Sequence, residues 1–131
     1  MFITIAGDTS LVQALIESGA DINSFGNNDI PPLHIAAMCG HTEVINELIK
    51  SNGSVTAQDW VKFTPLHVAS YFGHEKVVKM LLDNGNVDVN APGGVNDRPL
   101  HLASSKGYYG IVKQLLDKGA DGVFVGIYLN N

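Results

Sequence analysis

One five-residue phrase recurs along this chain at a nearly constant interval. Pro32-Leu33-His34-Ile35-Ala36 returns as Pro65-Leu66-His67-Val68-Ala69 after 33 residues, and as Pro99-Leu100-His101-Leu102-Ala103 after a further 34. Each copy runs into a glycine (Gly40, Gly73, Gly107) and then into paired aliphatics. These pairs are Val44, Ile45, Leu48 and Ile49; Val77, Val78, Leu81 and Leu82; and Ile111, Val112, Leu115 and Leu116. Self-similarity at this period describes a stack of supersecondary units, each too small to bury its own apolar face.

Aliphatic residues at i, i+1, i+4 and i+5 make a stripe down one side of a helix. The same phase reaches back to Leu11, Val12, Leu15 and Ile16 behind Gly7, so a further copy begins before the first complete one. Each aliphatic helix then meets a residue that tolerates left-handed backbone, namely Gly19, Asn52, Gly85 or Gly119, which is a C-terminal stop signal. Proline suits the first turn of the preceding helix, where no amide donor is needed. The pattern predicts a short helix, a tight turn, a longer helix and a projecting loop in every period.

On these residues the chain resembles the ankyrin-repeat family. Thr64-Pro65-Leu66-His67-Val68-Ala69 is a full copy of its signature, Gly73-His74 fits its inter-helix turn, and Gly19-Ala20-Asp21-Ile22-Asn23 fits the start of its loop. The resemblance covers roughly residues 3–121. It implies an all-α repeat solenoid of about three to four helix-turn-helix repeats with projecting β-hairpin-like loops and incomplete ends. The expected division is a single domain, 1–131, with a partial repeat at 1–30, repeats at 31–63, 64–97 and 98–121, and a divergent tail at 122–131.

The departures from the family pattern carry information. Pro31 and Arg98 stand where Thr64 does, so two repeats lack a hydroxyl cap of the kind typically worth ~1 kcal/mol. The loop between Gly85 and Pro99 has one extra residue near Asn86-Val87. In the first repeat the short helix is reduced to MFITI, with Ile3 and Thr4 in place of small alanines. After Gly119-Ala120-Asp121 the sequence GVFVGIYLNN leaves the pattern. Solenoids need polar capping repeats, and neither end reads as one. The expectation is a piece of a longer array or a truncated product; the alternative is a self-sufficient domain, and a third option is that Val123 to Leu129 folds back as a cap or a dimer contact.

Composition narrows the partners. A net charge of −5, with only eight Lys and Arg, opposes a broad grip on phosphate backbones or anionic lipid. Nucleic acid and membrane are therefore not expected as partners. The single cysteine, Cys39, excludes an intrachain disulfide framework and suits a reducing compartment. The N-terminal MFITIAGD has no basic signal-peptide region, and no run approaches the ~20 apolar residues of a membrane span. The expected address is the cytoplasm, with the nucleus also open.

Five histidines (His34, His41, His67, His74, His101) invite a reading as chemistry. A zinc site needs three or four ligands converging on one point. Repeat-equivalent positions instead lie side by side, one stacking step of about 10 Å apart. His74-Glu75-Lys76-Val77-Val78 lacks the second histidine of the helical zinc-protease motif. The family resemblance implies that His34, His67 and His101 are structural, hydrogen-bonding near the helix start and tying one repeat to the next. Thr64 would act as the cap, and Gly40, Gly73 and Gly107 as the turns. No phosphate-binding glycine loop appears, Ser104-Ser105-Lys106 has no partner motif, and Cys39 has no paired histidine-asparagine signature. The expectation is no enzyme, no catalytic or metal-binding residue and no cofactor.

The remaining free surfaces are the ends of the short helices and the loop tips, which by family resemblance line a concave face used for protein partners. The candidates are Met38, Cys39, Tyr71, Phe72, Ser105 and Lys106 on the helices, with Phe25, Trp60, Val61, Phe63 and Val95 on the loops. Exposed aromatics are enriched at interface hot spots, so the middle repeat, with Trp60, Tyr71 and Phe72, is the expected centre. Packing between repeats is the alternative for Phe63 and for one of the Tyr71–Phe72 pair. The leading reading is a non-catalytic scaffold that binds another protein and is itself a monomer. A second reading is a docking or regulatory segment of a larger enzyme, such as a protein kinase. The run NAPGGVNDRPLHLASSKGYYGIVKQLL is similar to the ankyrin array preceding the kinase domain of a heart-associated tyrosine-kinase-like serine/threonine kinase. A third is a structural array that self-associates through uncapped ends.

Overall fold

The computed structural model describes residues 14, 16–19, 21–23 and 30–122. The MFITI stretch with Ile3 and Thr4, the loop residue Phe25 and the tail from Val123 to Leu129 lie outside the described residues. Within residues 30–122 six helices form three antiparallel pairs: α1 (Pro32–Cys39) with α2 (Thr42–Lys50), α3 (Pro65–Phe72) with α4 (Glu75–Asp83), and α5 (Pro99–Lys106) with α6 (Tyr109–Asp117). Among the described residues there is no strand, and the chain is an all-α repeat array of about three repeats.

The two kinds of helix differ in how much of themselves they bury. Six of the eight residues of α3 are buried, Pro65 through Ser70, because this helix is sandwiched between two short neighbours and covered by its own long partner. By contrast α4 buries only the stripe Val77, Val78, Leu81 and Leu82, and turns its charges outward. One leucine per repeat, Leu48, Leu81 and Leu115, is at most 1% exposed, and each contributes about 2 kcal/mol by burial. Ala36, Ala69 and Ala103 are fully buried; their small side chains let successive short helices approach more closely than the long ones do. Closer packing on one side curves the stack, with the short helices on the inner face.

The ends of the helices obey backbone chemistry. Asn52, Gly19, Gly85 and Gly119 all take positive φ where the long helices stop. Between the helices of a pair, Gly73 has φ +80°, a conformation in which a Cβ is strained. It has a second role: a Cβ on Gly73 would meet the ring of Tyr108 at 2.8 Å, and one on Gly40 would meet the ring of His74 at 2.7 Å. The turn glycine therefore leaves the seat on which the next repeat sets a ring. His74 uses that seat to donate from Nε2 to the Met38 carbonyl at 2.8 Å.

Loops are tied as well. Asn23 donates to the Asn52 carbonyl and accepts from the Ser54 amide, at 3.0 and 2.9 Å. Asn90 repeats the clasp with Gly119 and Asp121. At the corresponding position of the middle joint stands Thr56, which makes no such clasp. There the loop tips join instead, the Gly94 amide donating to the Val61 carbonyl at 2.9 Å.

Candidate functional site

The signature histidines sit where a repeat meets the next loop. His67 Nδ1 accepts the Thr64 amide at 3.1 Å, which places the ring proton on Nε2, and Nε2 donates to the Asp97 carbonyl at 2.9 Å. His34 Nε2 donates in the same way to the Phe63 carbonyl at 2.7 Å. His101 Nδ1 accepts the Arg98 amide at 3.3 Å. Burial holds all three imidazoles below the usual histidine pKa, against a smaller upward pull from carbonyl bonds at His34 and His67 and from Asp97 at His101. His34 and His67 are thus neutral struts from a helix start to the next loop, while His101 bonds to its own helix start. No group of three His, Cys, Asp or Glu among the described residues could hold a metal ion, and no described helix is long and apolar enough to cross a membrane.

Thr64 caps α3, its hydroxyl accepting the His67 amide at 3.4 Å while the His67 ring answers the Thr64 amide. Pro31 cannot do the same for α1. It has neither a hydroxyl nor an N–H, and His34 Nδ1 is buried with no partner.

The loops are tight hairpin-like turns built around Asp59 and Gly93. The Asp59 carboxylate accepts from the amides of Val61 and Phe63, both at 2.9 Å, while the Asp59 amide donates to the Phe63 carbonyl. This fold of the loop raises Trp60 to its tip, 74% exposed, and turns Phe63 inward, where its ring stacks on His67 with centroids 4.9 Å apart. Val95 tops the next loop at 79% exposure.

A cavity of about 190 Å³ opens on the inner face between the short helices and this loop. Met38, Val68, Tyr71 and Phe72 line it from α1 and α3; Phe63, Asp59 and Ile30 line it from the loop side, and His34 lies among them. Its lining is predominantly apolar. Tyr71 and Phe72 are 38% and 46% exposed and form an edge-to-face pair at 5.1 Å. The Lys106 ammonium lies 4.5 Å from the centre of the Tyr71 ring. A larger cleft of about 460 Å³ lies by the inter-helix turns, lined by Gly40, Gly73, His74, Tyr108 and the polar Thr42, Glu75 and Lys76. It is a consequence of the glycine seats, and His74 is already committed to Met38.

The structure brings Met38, Phe63, Tyr71 and Phe72 to one cavity, with Lys106 beside it across Tyr71. It sets Trp60 and Val95 on the loop tips, leaves Val61 and Cys39 half-buried, and exposes Ser105 on α5. Phe25 is outside the described residues. Of the two tyrosines that follow the last turn glycine, Tyr108 is half-buried, whereas Tyr109 is 68% exposed. Sequence reasoning missed Asp59 and Ile30. An aspartate opening a tight turn, two and four residues before the amides it accepts, was the available signal for the first.

The family model for ankyrin repeats (3 copies) matches residues 1–93, and that for the ankyrin repeat matches residues 96–125. No curated protein matches the chain, so the likeness to a kinase's ankyrin array finds no support there. With family models covering most of its length and the stacked helix pairs they describe, the chain belongs to the ankyrin-repeat family.

Proposed function

We propose that this chain is a single non-catalytic domain that docks another protein on its inner face, centred on Trp60, Tyr71 and Phe72. Ankyrin repeats are in general protein–protein interaction modules. The observation that carries the reading is the cluster of exposed aromatics around an apolar cavity on a face the scaffold leaves open. The exposed Trp60 ring and the partly exposed Tyr71 and Phe72 rings are the residue types that dominate interfaces. Ser105, Lys106 and Val95 continue the surface toward the third helix pair, and Met38 and Cys39 continue it toward the first.

The test is affinity purification from cells that express the chain, comparing wild type with a Trp60→Ala/Tyr71→Ala variant. Loss of a hot-spot aromatic costs about 2 kcal/mol, which is about thirtyfold in affinity. A partner retained by wild type should be lost by the variant, while both give the same circular dichroism and thermal midpoint. Equal retention of that partner would remove this surface from the proposal.

A further inference from the structure

We propose that the segment docked in the groove is a stretch of partner polypeptide carrying one bulky apolar side chain with a basic residue beside it. The proposal rests on the docking reading above and adds the chemistry of what docks. Size comes first. At about 190 Å³ the cavity falls below the roughly 300–1,000 Å³ of sites that enclose small molecules. It is suited to a single leucine- or phenylalanine-sized side chain, against Met38, Phe63 and Phe72.

Charge then selects the neighbour. Among the described residues lining the cavity, Asp59 is the one that bears a formal charge. Its carboxylate is held in place by the Val61 and Phe63 amides rather than by a cation, and none of the ion pairs among the described residues uses it. Lys106, beside the groove, is engaged by the Tyr71 ring. A fixed, half-buried carboxylate at the rim of an apolar cavity attracts a lysine or arginine next to the anchoring side chain and repels an acidic one. The whole chain works in the same direction, with 13 acidic against 8 basic residues, drawing basic segments from a distance. Phosphate-bearing ligands meet the opposite field.

The experiment is a nuclear magnetic resonance titration of the full ¹⁵N-labelled chain with two synthetic peptides, Gly-Ser-Arg-Leu-Ser-Gly and Gly-Ser-Glu-Leu-Ser-Gly. The arginine peptide should shift the amides of Phe63, Tyr71 and Phe72 at about fivefold lower concentration than the glutamate peptide. Replacing its leucine by serine should abolish those shifts. In Asp59→Asn, which keeps the amide-accepting oxygen, the two leucine peptides should become equivalent. Equal affinity of the two for the wild type, a preference for glutamate, an arginine preference that survives Asp59→Asn, or no shift in the groove would each overturn the proposal. The docking reading is decided separately by the Trp60→Ala/Tyr71→Ala variant, so the two can fail independently.

Discussion

Replacing Pro31 with threonine should make the protein more stable, although it removes a proline. In the middle repeat the Thr64 amide donates to His67 Nδ1 at 3.1 Å and the Thr64 hydroxyl caps α3. At Pro31 both are missing, and His34 Nδ1 is left buried and unpaired. Pro31 has φ −56° and ψ 144°, against φ −88° and ψ 168° at Thr64, so threonine needs only a small adjustment to take the capping geometry. Thr64 is itself buried at the equivalent position, so burial does not oppose the substitution.

Three contributions set the magnitude. The hydroxyl cap adds about 1 kcal/mol, and a partner for a buried, unsatisfied acceptor adds about 1 kcal/mol. The greater freedom of the unfolded chain without proline costs about 0.7 kcal/mol. The net gain is roughly 1 kcal/mol, or about 4 °C in thermal midpoint for a chain of this size. Pro31→Ala separates the parts, because it restores the N–H without the hydroxyl and should come out near zero. Urea unfolding followed by circular dichroism measures both. If Pro31→Thr were no more stable than Pro31→Ala, the capping argument would be wrong; if both were less stable than wild type, the orphaned imidazole would not be the cost described here.

Acidification should weaken the fold, since burial lowers the pKa of His34 and His67 from 6.5. The unfolded chain then binds more protons below that pH, so stability is full above pH 6.5 and is lost as pH falls from there through the folded-state values; a urea midpoint that rose between about pH 7 and about pH 5 would contradict this. Gly107→Ala, at φ +76° with nothing within 4 Å of the new Cβ, should cost only backbone strain of about 1 kcal/mol. Gly73→Ala, which also meets the Tyr108 ring at 2.8 Å, should cost at least about 1 kcal/mol more, and equal thermal midpoints for the two would refute the seat. Phe63→Leu should lower both stability and partner affinity, whereas Trp60→Ala should lower affinity alone; thermal melts beside a binding assay distinguish the two.

The fold was legible because its information is periodic. Pro65, His67, Ala69, Gly73, Val77 and Leu81 each do one local job, and the copies before and after place those jobs in register. That is why positive φ at Asn52 and Gly85 could be anticipated from where the aliphatic stripe stops. The candidate site was legible only in part. Trp60, Tyr71 and Phe72 stand at positions the repeat does not constrain, which made them visible as a departure. Asp59 and Ile30 were hidden, because their place on the cavity wall depends on how the loop folds back across two repeats rather than on any period. The clasp made by Asn23 and Asn90, and its absence at Thr56, is also a relation between loops about 30 residues apart, which no local pattern expresses.

Phe63 shows why scaffold and site cannot be assigned to separate residues throughout. Its carbonyl receives His34, its ring lies parallel to His67 and presses on Gly93, where a Cβ would come within 2.6 Å, and the same ring forms a wall of the apolar cavity. The struts that join the first pair of helices to the second therefore also set the width of the groove. His34 bonds to the Phe63 backbone carbonyl, so the loop it holds keeps its path whatever side chain stands at Trp60 or Val61, and His67 holds the next loop in the same way through the Asp97 carbonyl. On the docking proposed above, a partner gripping the cavity would pull on the joint between repeats, and loosening the joint would widen the cavity. On that proposal, docking strength and stacking stability should be coupled at Phe63 and separable at Trp60.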